Sequence, residues 1–297
     1  MFKNLNASAL GVSGHQSEII ELALTYRFQG MDADIVELAT RAELHGMPYA
    51  RRLIDSAGIH IGTFRLPLEW DTDDDVFRPE LEKLSEYAQV AAEIGCTRCV
   101  ATIAPAGDKR PYHENFEFHR HRFFDVSQAL EPFNIRLGIG FRAAANLRQS
   151  QAFQFIHDLD ALSLLVNMIG APNVGILLDV WDLHVSGGSP ENVRSLSAEQ
   201  IVAVQLADVP AEDTPTAELT EASRRMPLEE GGIDLPAYIV ALAEIGYKGP
   251  VSFKPDRSAL KGRRRDPIVR QVAGAMDMIW KAAGLTHDGK LAAPAGS

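Results

Sequence analysis

The sequence predicts one α/β domain, a closed (β/α)₈ barrel of parallel strands each followed by a helix. Three observations lead there. Helix-like segments repeatedly end in glycine and give way at once to a short apolar strand, at Gly30, Gly58, Gly95, Gly170 and Gly246. Glycine takes the left-handed conformation that closes a helix, so the pattern is helix stop and strand start, repeated. The clearest strand is an unbroken apolar run rather than an alternating one, as expected of a parallel sheet buried on both faces. The spacing from Gly58 to Gly95 is about half that from Gly95 to Gly170 and from Gly170 to Gly246, which suits a unit of roughly thirty to forty residues. The 297 residues fit one such barrel, which needs roughly 250, and no Ser/Gly linker divides them.

Taken in order, strands are expected near residues 5–10, 31–35, 59–64, 98–103, 135–140, 174–179, 201–206 and 251–254. Helices are expected between them, for example over 79–94 with Pro79 in the first turn, over 150–169, and over 235–245 behind a cap at Asp234. The barrel domain takes residues 1–284, and the small, polar tail 285–297 is expected to fray. The strand from Val174 reads V-G-I-L-L-D and stops at Asp179. A charge there must be paired, metal-bound or facing a cavity, because burying it alone costs several kcal/mol. A polar loop carrying Asp182, His184 and Ser186 and closed by Gly187 and Gly188 is expected to follow.

The carboxyl ends of the strands form the active face of such a barrel. The polar residues at or just past those ends are Asp32, Asp34, Arg65, Glu69 and Trp70 in the first half, and Arg142, Asp179, Gln205, Asp208, Lys254 and Asp256 in the second. Two loops add groups: Tyr112, His113, Glu114 and Asn115 after the fourth strand, and 210–232 with Arg224, Arg225, Glu229 and Glu230.

Hydrophobic residues make up 46% of the chain and charged residues 23%, an ordinary globular composition. The net charge of -11 argues against a broad nucleic-acid face or a polybasic membrane anchor. Residues 1–14 show no cationic segment followed by a long apolar core, and no apolar run approaches the ~20 residues of a membrane span. A cytoplasmic location is expected. Cys96 and Cys99 form C-x-x-C but follow Ile94-Gly95, a helix end rather than the helix start that activates a thiol, and zinc would need two more ligands. They are read as structural. His113, His119 and His121 are not read as a metal cluster, because positions 119 and 121 point to different helix faces. The run Lys261-Gly-Arg-Arg-Arg is read as a solvated loop pairing with acids.

Several stretches together carry a resemblance. They are N-I-R-L-G-I-G-F from Asn134, N-V-G-I-L-L-D-V-W-D-L-H-V-S-G-G from Asn173, I-V-A-V-Q-L-A-D-V-P from Ile201, R-R-M-P-L-E-E-G-G-I-D-L from Arg224 and I-G-Y-K-G-P-V-S-F-K-P from Ile245. With R-L-P-L-E-W from Arg65 and the Tyr112 loop, the chain resembles the sugar phosphate isomerase/epimerase family, with its xylose-isomerase-like TIM barrel, from near the first strand to about Gly284. The resemblance implies a divalent metal held by Glu, Asp, His and Glu on strands five to eight. That metal polarises a sugar carbonyl or hydroxyl while paired carboxylates move a proton. Here those positions carry Gly140, Asp179, Gln205 and Lys254. The family's His three residues past the strand-six Asp is Asp182, with His184 two residues later. The family's Arg before Pro-Gly-Glu matches Arg224, but its Gly is Leu228.

A lysine cannot share a small cavity with a divalent cation without repulsion of about several kcal/mol at low effective dielectric. Glycine offers no side-chain ligand, and an amide oxygen replaces imidazole poorly in a transition-metal site. No metal and no cofactor are therefore expected. Two readings stay open. In one, an enzyme works without metal: Lys254 is electrophile, base or Schiff-base former, Asp179, Asp182 or Glu69 accepts the proton, and His184 shuttles it. In the other, a non-catalytic barrel binds a small carbohydrate or sugar acid. In either, Gln205, Arg142, Arg224, Trp70, Trp181 and Asp208 are expected to contact the ligand. The resemblance further implies a homo-oligomer.

Overall fold

The structure, a computed structural model, describes residues 1–210, 214–227 and 231–292. Leu228, Glu229 and Glu230 of the 210–232 loop, and the end of the tail, lie outside the described residues.

Eight strands close into a parallel barrel: β1 (Phe2–Leu5), β2 (Gly30–Ala33), β3 (His60–Arg65), β4 (Arg98–Thr102), β5 (Arg136–Gly140), β6 (Val174–Asp179), β7 (Ile201–Leu206) and β8 (Pro250–Phe253). Strand β8 returns to pair with β1. The helices are α1 (Gln16–Thr25), α2 (Ile35–His45), α3 (Met47–Ala57), α4 (Asp74–Glu93), α5 (Tyr112–Leu130), α6 (Leu159–Ile169), α7 (Val180–Val185), α8 (Pro190–Arg194), α9 (Leu235–Glu244) and α10 (Arg265–Ala282). No described helix is long and apolar enough to cross a membrane. The predicted single (β/α)₈ barrel is what the chain forms.

Four elements depart furthest from expectation. The first strand starts at Phe2, because Asn6 begins a turn in which its side chain accepts from the Ala9 amide at 2.9 Å. Helix α4 starts at Asp74, ahead of Pro79, with acids in its first turn complementing the helix dipole. Helix α6 starts only at Leu159, where Asp158 caps it by accepting from Ala161 N at 2.8 Å. The chain before it forms a short antiparallel pair, Phe153–Gln154 with Ala106–Gly107. The polar loop expected after β6 is instead helix α7, capped by Asp179 itself.

One apolar core lies between the barrel and its helices. A second, smaller one joins Val100, Leu177 and Ala203. Strands β4 and β6 are not neighbours, so this contact crosses the barrel lumen. Side chains alternate along a strand. Asp179, two residues beyond Leu177, therefore faces the lumen at its carboxyl end. The segment after α10 doubles back: Leu285 pairs with Leu291, and the Met1 ammonium donates to the Gly289 carbonyl.

Cys96 and Cys99 are free and buried, and desolvation pushes the Cys96 thiol up to about 12. Both are expected to stay unreactive toward an aromatic disulfide reagent at pH 8 in the native protein and to react fully in denaturant. Rapid labelling of the folded chain would contradict the structural reading.

Candidate functional site

A buried ion cluster occupies the carboxyl end of the barrel over β6 and β8. Asp179 turns back over the start of α7, where its Oδ1 accepts from the amides of Trp181 at 3.1 Å and Asp182 at 3.3 Å. Arg224 Nη1 donates to both carboxylate oxygens, at 3.0 and 2.9 Å. Lys254 Nζ donates to Oδ2 at 3.1 Å. The other Arg224 nitrogens reach Asp182 Oδ2 at 2.5 Å and Glu221 Oε2 at 3.1 Å, and Glu221 meets Arg142 at 3.3 Å. The guanidinium lies 4.2 Å from the centre of the Trp181 ring.

Asp179, Asp182 and Glu221 thus face Arg224, Lys254 and Arg142, three carboxyl groups against three cations. Balance of this kind is what lets Asp179, Asp182 and Arg224 sit at 3%, 0% and 2% exposure. The backbone holds Arg224 in place. Its neighbour Arg225 exchanges hydrogen bonds with Asp208 at 2.8 and 2.9 Å, and the Arg224 carbonyl accepts from Asp256 N at 3.0 Å.

Desolvation would raise Asp179, but the charges of Arg224 and then Lys254 outweigh it and hold the carboxyl down at about 2. Desolvation, and then the Asp179 charge, push Asp182 up despite the attraction of Arg224. Arg224 is desolvated too, yet the three carboxylates around it keep its proton more firmly than usual.

Gln205 pairs in register with Asp179 and with Ser252, and its Oε1 is buried without a partner among the described residues. At Gly140 an added Cβ would lie 3.2 Å from both Leu177 Cδ2 and the Leu177 carbonyl. The Leu177 side chain occupies the space a strand-five ligand would need.

Of the sequence-predicted residues, the structure brings together Asp179, Lys254, Asp182, Arg224, Trp181 and, through Glu221, Arg142, with Gln205 beside Asp179. Others lie elsewhere. Glu69 is exposed and forms part of a surface turn whose amide takes the Glu80 carboxylate at 2.9 Å. Trp70 packs on Phe123 with centroids 5.3 Å apart. Asp208 is 2% exposed and bound to the amides of Val209 and Ile233 at 2.8 and 3.0 Å, so it ties its own loop together. Trp181 is fully enclosed, its ring committed to Arg224. His184 sits half-buried on α7, and burial lowers its pKa. His119 packs at a tilt against Phe155 with its Nδ1 2.8 Å from the Asn115 carbonyl, and desolvation pushes its pKa down to about 4. Among the described residues no three His, Cys, Asp or Glu side chains gather in a metal-binding group. In the basic run after β8, Arg265 pairs with Glu18 and Arg263 donates to Gln271.

Sequence reasoning missed three features. Glu221, the third carboxylate on Arg224, sits in a loop with no strand-end signal. A polar network joins the other side of the barrel: Asn4 Nδ2 donates to Asp32 Oδ1 at 2.7 Å and to Ser252 Oγ at 2.9 Å, while Thr63 N donates to Asp32 Oδ1 at 2.9 Å. Glycine is required at 62, where a Cβ would lie 2.3 Å from Asn4 Oδ1. Burial raises half-buried Asp32 to about 6. Asp32 was legible as a strand-end acid, but its partners were not. The third feature is a cavity of about 260 Å³ on the same face, lined by Ala143, Arg148, His157, Ser186 and Thr216 among others.

The family model described as xylose isomerase-like TIM barrel matches residues 11–277. An inosose isomerase from Bacillus velezensis is 29% identical over 135 residues, 44% of this chain and 45% of that protein. A 3-dehydroshikimate dehydratase from Pseudomonas aeruginosa is 30% identical over 131 residues, 44% of this chain and 20% of that protein. The alignments therefore span less than half the length of these curated relatives. The structure of a xylose isomerase domain protein from Alicyclobacillus acidocaldarius superposes with a TM-score of 0.86 at 23% identity, covering 95% of this chain and 99% of that one. The IOLI protein, solved with a zinc atom, superposes with a TM-score of 0.77 at 18% identity, covering 96% and 98%. These two likenesses concern the fold.

Proposed function

The chain belongs to the xylose isomerase-like TIM-barrel family, and from that premise we propose that its metal position has been taken over by an ion cluster. Its carboxyl-end face then binds a small carbohydrate or sugar acid without metal-assisted chemistry. The observation that carries this reading is the occupancy of Asp179. Both of its oxygens already accept charged donors, Nη1 of Arg224 and Nζ of Lys254, and Oδ1 accepts two amides besides. A divalent ion needs those same lone pairs and would meet two cations at hydrogen-bond distance. The remaining positions supply an amide, a lysine and a glycine backed by Leu177, a donor set that does not fit the ion. The named activities of the relatives, inosose isomerase and 3-dehydroshikimate dehydratase, support a polyhydroxylated ligand. The same reading carries a cytoplasmic location and self-association as a homo-oligomer.

One observation favours a second reading, catalysis without metal. The Lys254 side chain is 27% exposed at the barrel mouth. Its ammonium, anchored by Asp179, keeps donors free to polarise a carbonyl, and Asp32 is an acid of the same face with no paired cation among the described residues.

Elemental analysis after dialysis against manganese, zinc and magnesium is expected to find no stoichiometric ion. One tightly held ion per chain would overturn the proposal. If the second reading holds, incubating sugars with the protein in deuterated water gives exchange that Lys254→Met abolishes; a pure binding barrel gives stabilisation and no exchange.

A further inference from the structure

We propose that the outward face of α6 is the surface on which two copies of this chain associate, through a two-fold axis passing between Leu164 and Met168. The inference rests on the self-association carried by the reading above and names the surface that makes it.

Helix α6 reads L-D-A-L-S-L-L-V-N-M-I, and its apolar residues cover more than one side. Leu159, Leu162, Leu165 and Ile169 form its buried stripe. Leu164 and Met168 stand outside that stripe, one turn apart, at 54% and 52% exposure. Among the described large apolar side chains only Leu44 is more exposed. Phe124, 40% exposed, adds a ring on α5, the helix against which α6 packs. A lone exposed leucine is ordinary, but large apolar side chains gathered on adjoining helices mark an interaction surface.

The outer ring of helices leaves this side of the barrel thin. Helix α6 packs closely on α5 and on strands β5 and β6. On its other flank, the connection from β6 to β7 supplies α7, of six residues, and α8, of five, in place of one long helix. These pack on β7 and on α9 respectively.

Charge argues for a second copy as the occupant. A two-fold axis sets a surface against its own image, so every charge near the axis meets its like. The chain carries a net charge of -11, and a helix such as α4, with Asp74, Asp75, Glu80, Glu82, Glu86 and Glu93, would repel itself. Helix α6 has one ionisable residue, Asp160, in its first turn. An antiparallel crossing centred between Leu164 and Met168 holds the two Asp160 positions about 18 Å apart along the helix axes. That exceeds the ~8–10 Å over which exposed charges act at ordinary salt. Asn167, exposed near the centre, carries both donor and acceptor and is complementary to its own copy. An unrelated partner gains nothing from this neutrality, whereas a second copy requires it. The three apolar side chains fall short of the ~800 Å² per partner of a standard interface, so the dimer is expected to dissociate on dilution.

Sedimentation equilibrium of the full chain from about 1 to about 100 μM tests this. A monomer–dimer equilibrium is expected, and Leu164→Glu and Met168→Glu should each weaken it at least about tenfold by setting like charges across the axis. Both positions face solvent, and thermal unfolding of the dilute variants checks that they fold. Cross-linking gives an independent reading. Cys96 and Cys99 are buried, so in Leu164→Cys the added thiol is the accessible one. A short bismaleimide is expected to join Leu164→Cys chains in pairs and to leave Leu44→Cys chains separate. A monomer at every concentration overturns the surface and the self-association together. A dimer that both glutamate variants leave intact, or one joined through Leu44→Cys and not Leu164→Cys, overturns the surface and leaves self-association standing. Open-ended oligomers overturn the two-fold arrangement.

Discussion

Arg224→Met is expected to lower the unfolding free energy by about 3–5 kcal/mol, which for a domain of this size corresponds to a midpoint lower by on the order of 10 °C. The side chain sits at the centre of the cluster, 2% exposed, donating to Asp179, Asp182 and Glu221. Methionine keeps much of the packing against Trp181 but removes a charge that three carboxylates share. Lys254 and Arg142 then face three acids, and the two most buried acids lose their common partner. Adding Asp182→Asn to the Arg224→Met chain is expected to restore part of the loss, because it removes a buried acid beside Asp179 that has lost its arginine. Lys254→Met alone is expected to cost less, since its ammonium is partly solvated. Urea unfolding of the four chains measures all of this. An Arg224→Met chain as stable as the native one would mean that the carboxylates are not held by arginine, and would return Asp179 to the list of available metal ligands. The Asp179 contribution also has a pH sign. Its folded pKa is depressed to about 2, below the unfolded value, so its contribution is complete above roughly pH 4 and is lost as the pH falls toward 2.

The barrel was legible because its signals are local. Glycines such as Gly58 and Gly170 do close helices in the left-handed conformation, and the run from Val174 is buried at every position. Asp179 was legible for the same reason, a charge at the end of such a run. The identity of its partners was only half legible. Lys254 stands at a strand end and is legible as a site residue from that position, whereas the sequence offers Arg224 and Trp181 only as ligand contacts. Their burial depends on the long connection between β7 and α9 folding back over the barrel, pinned by the Asp208–Arg225 bridge. Nothing local in the sequence encodes that return. Glu69 and Trp70 were misplaced for a related reason. Position just after a strand does not fix which way a loop turns, and this one turns outward, with Trp70 packed on Phe123 of α5. The Arg148 cavity was invisible because its lining comes from three loops far apart in the chain.

A second substitution in the barrel mouth is expected to move stability the other way. Asp32→Asn is expected to raise the unfolding free energy at pH 7 by about 1–3 kcal/mol, the cost of keeping a half-buried carboxylate ionised without a cation. Desolvation is the main cause of the Asp32 shift, and the bonds from Asn4 and Thr63 offset only part of it. The folded pKa of about 6 lies above the unfolded value near 3.9. The native state therefore binds the proton more tightly, and the Asp32 contribution is most favourable below about pH 4. It falls as the pH rises from 4 to 6 and stays low above that. Asparagine keeps an acceptor for Asn4 Nδ2 and Thr63 N without the buried charge. The difference between the native and Asp32→Asn chains, followed by thermal unfolding from pH 4 to 8, isolates this group from Asp179 and Asp182. It should be near zero at pH 4 and reach its full size by pH 7; a variant less stable at pH 7 would show the charge to be needed for folding. A carboxylate that lowers stability in the mouth of a binding barrel, where an isosteric amide would raise it, is the signature of a group kept for its proton. In this chain the carboxylates over β6 are already bound to cations, whereas Asp32 is held by Asn4 and Thr63 with no cation paired to it among the described residues.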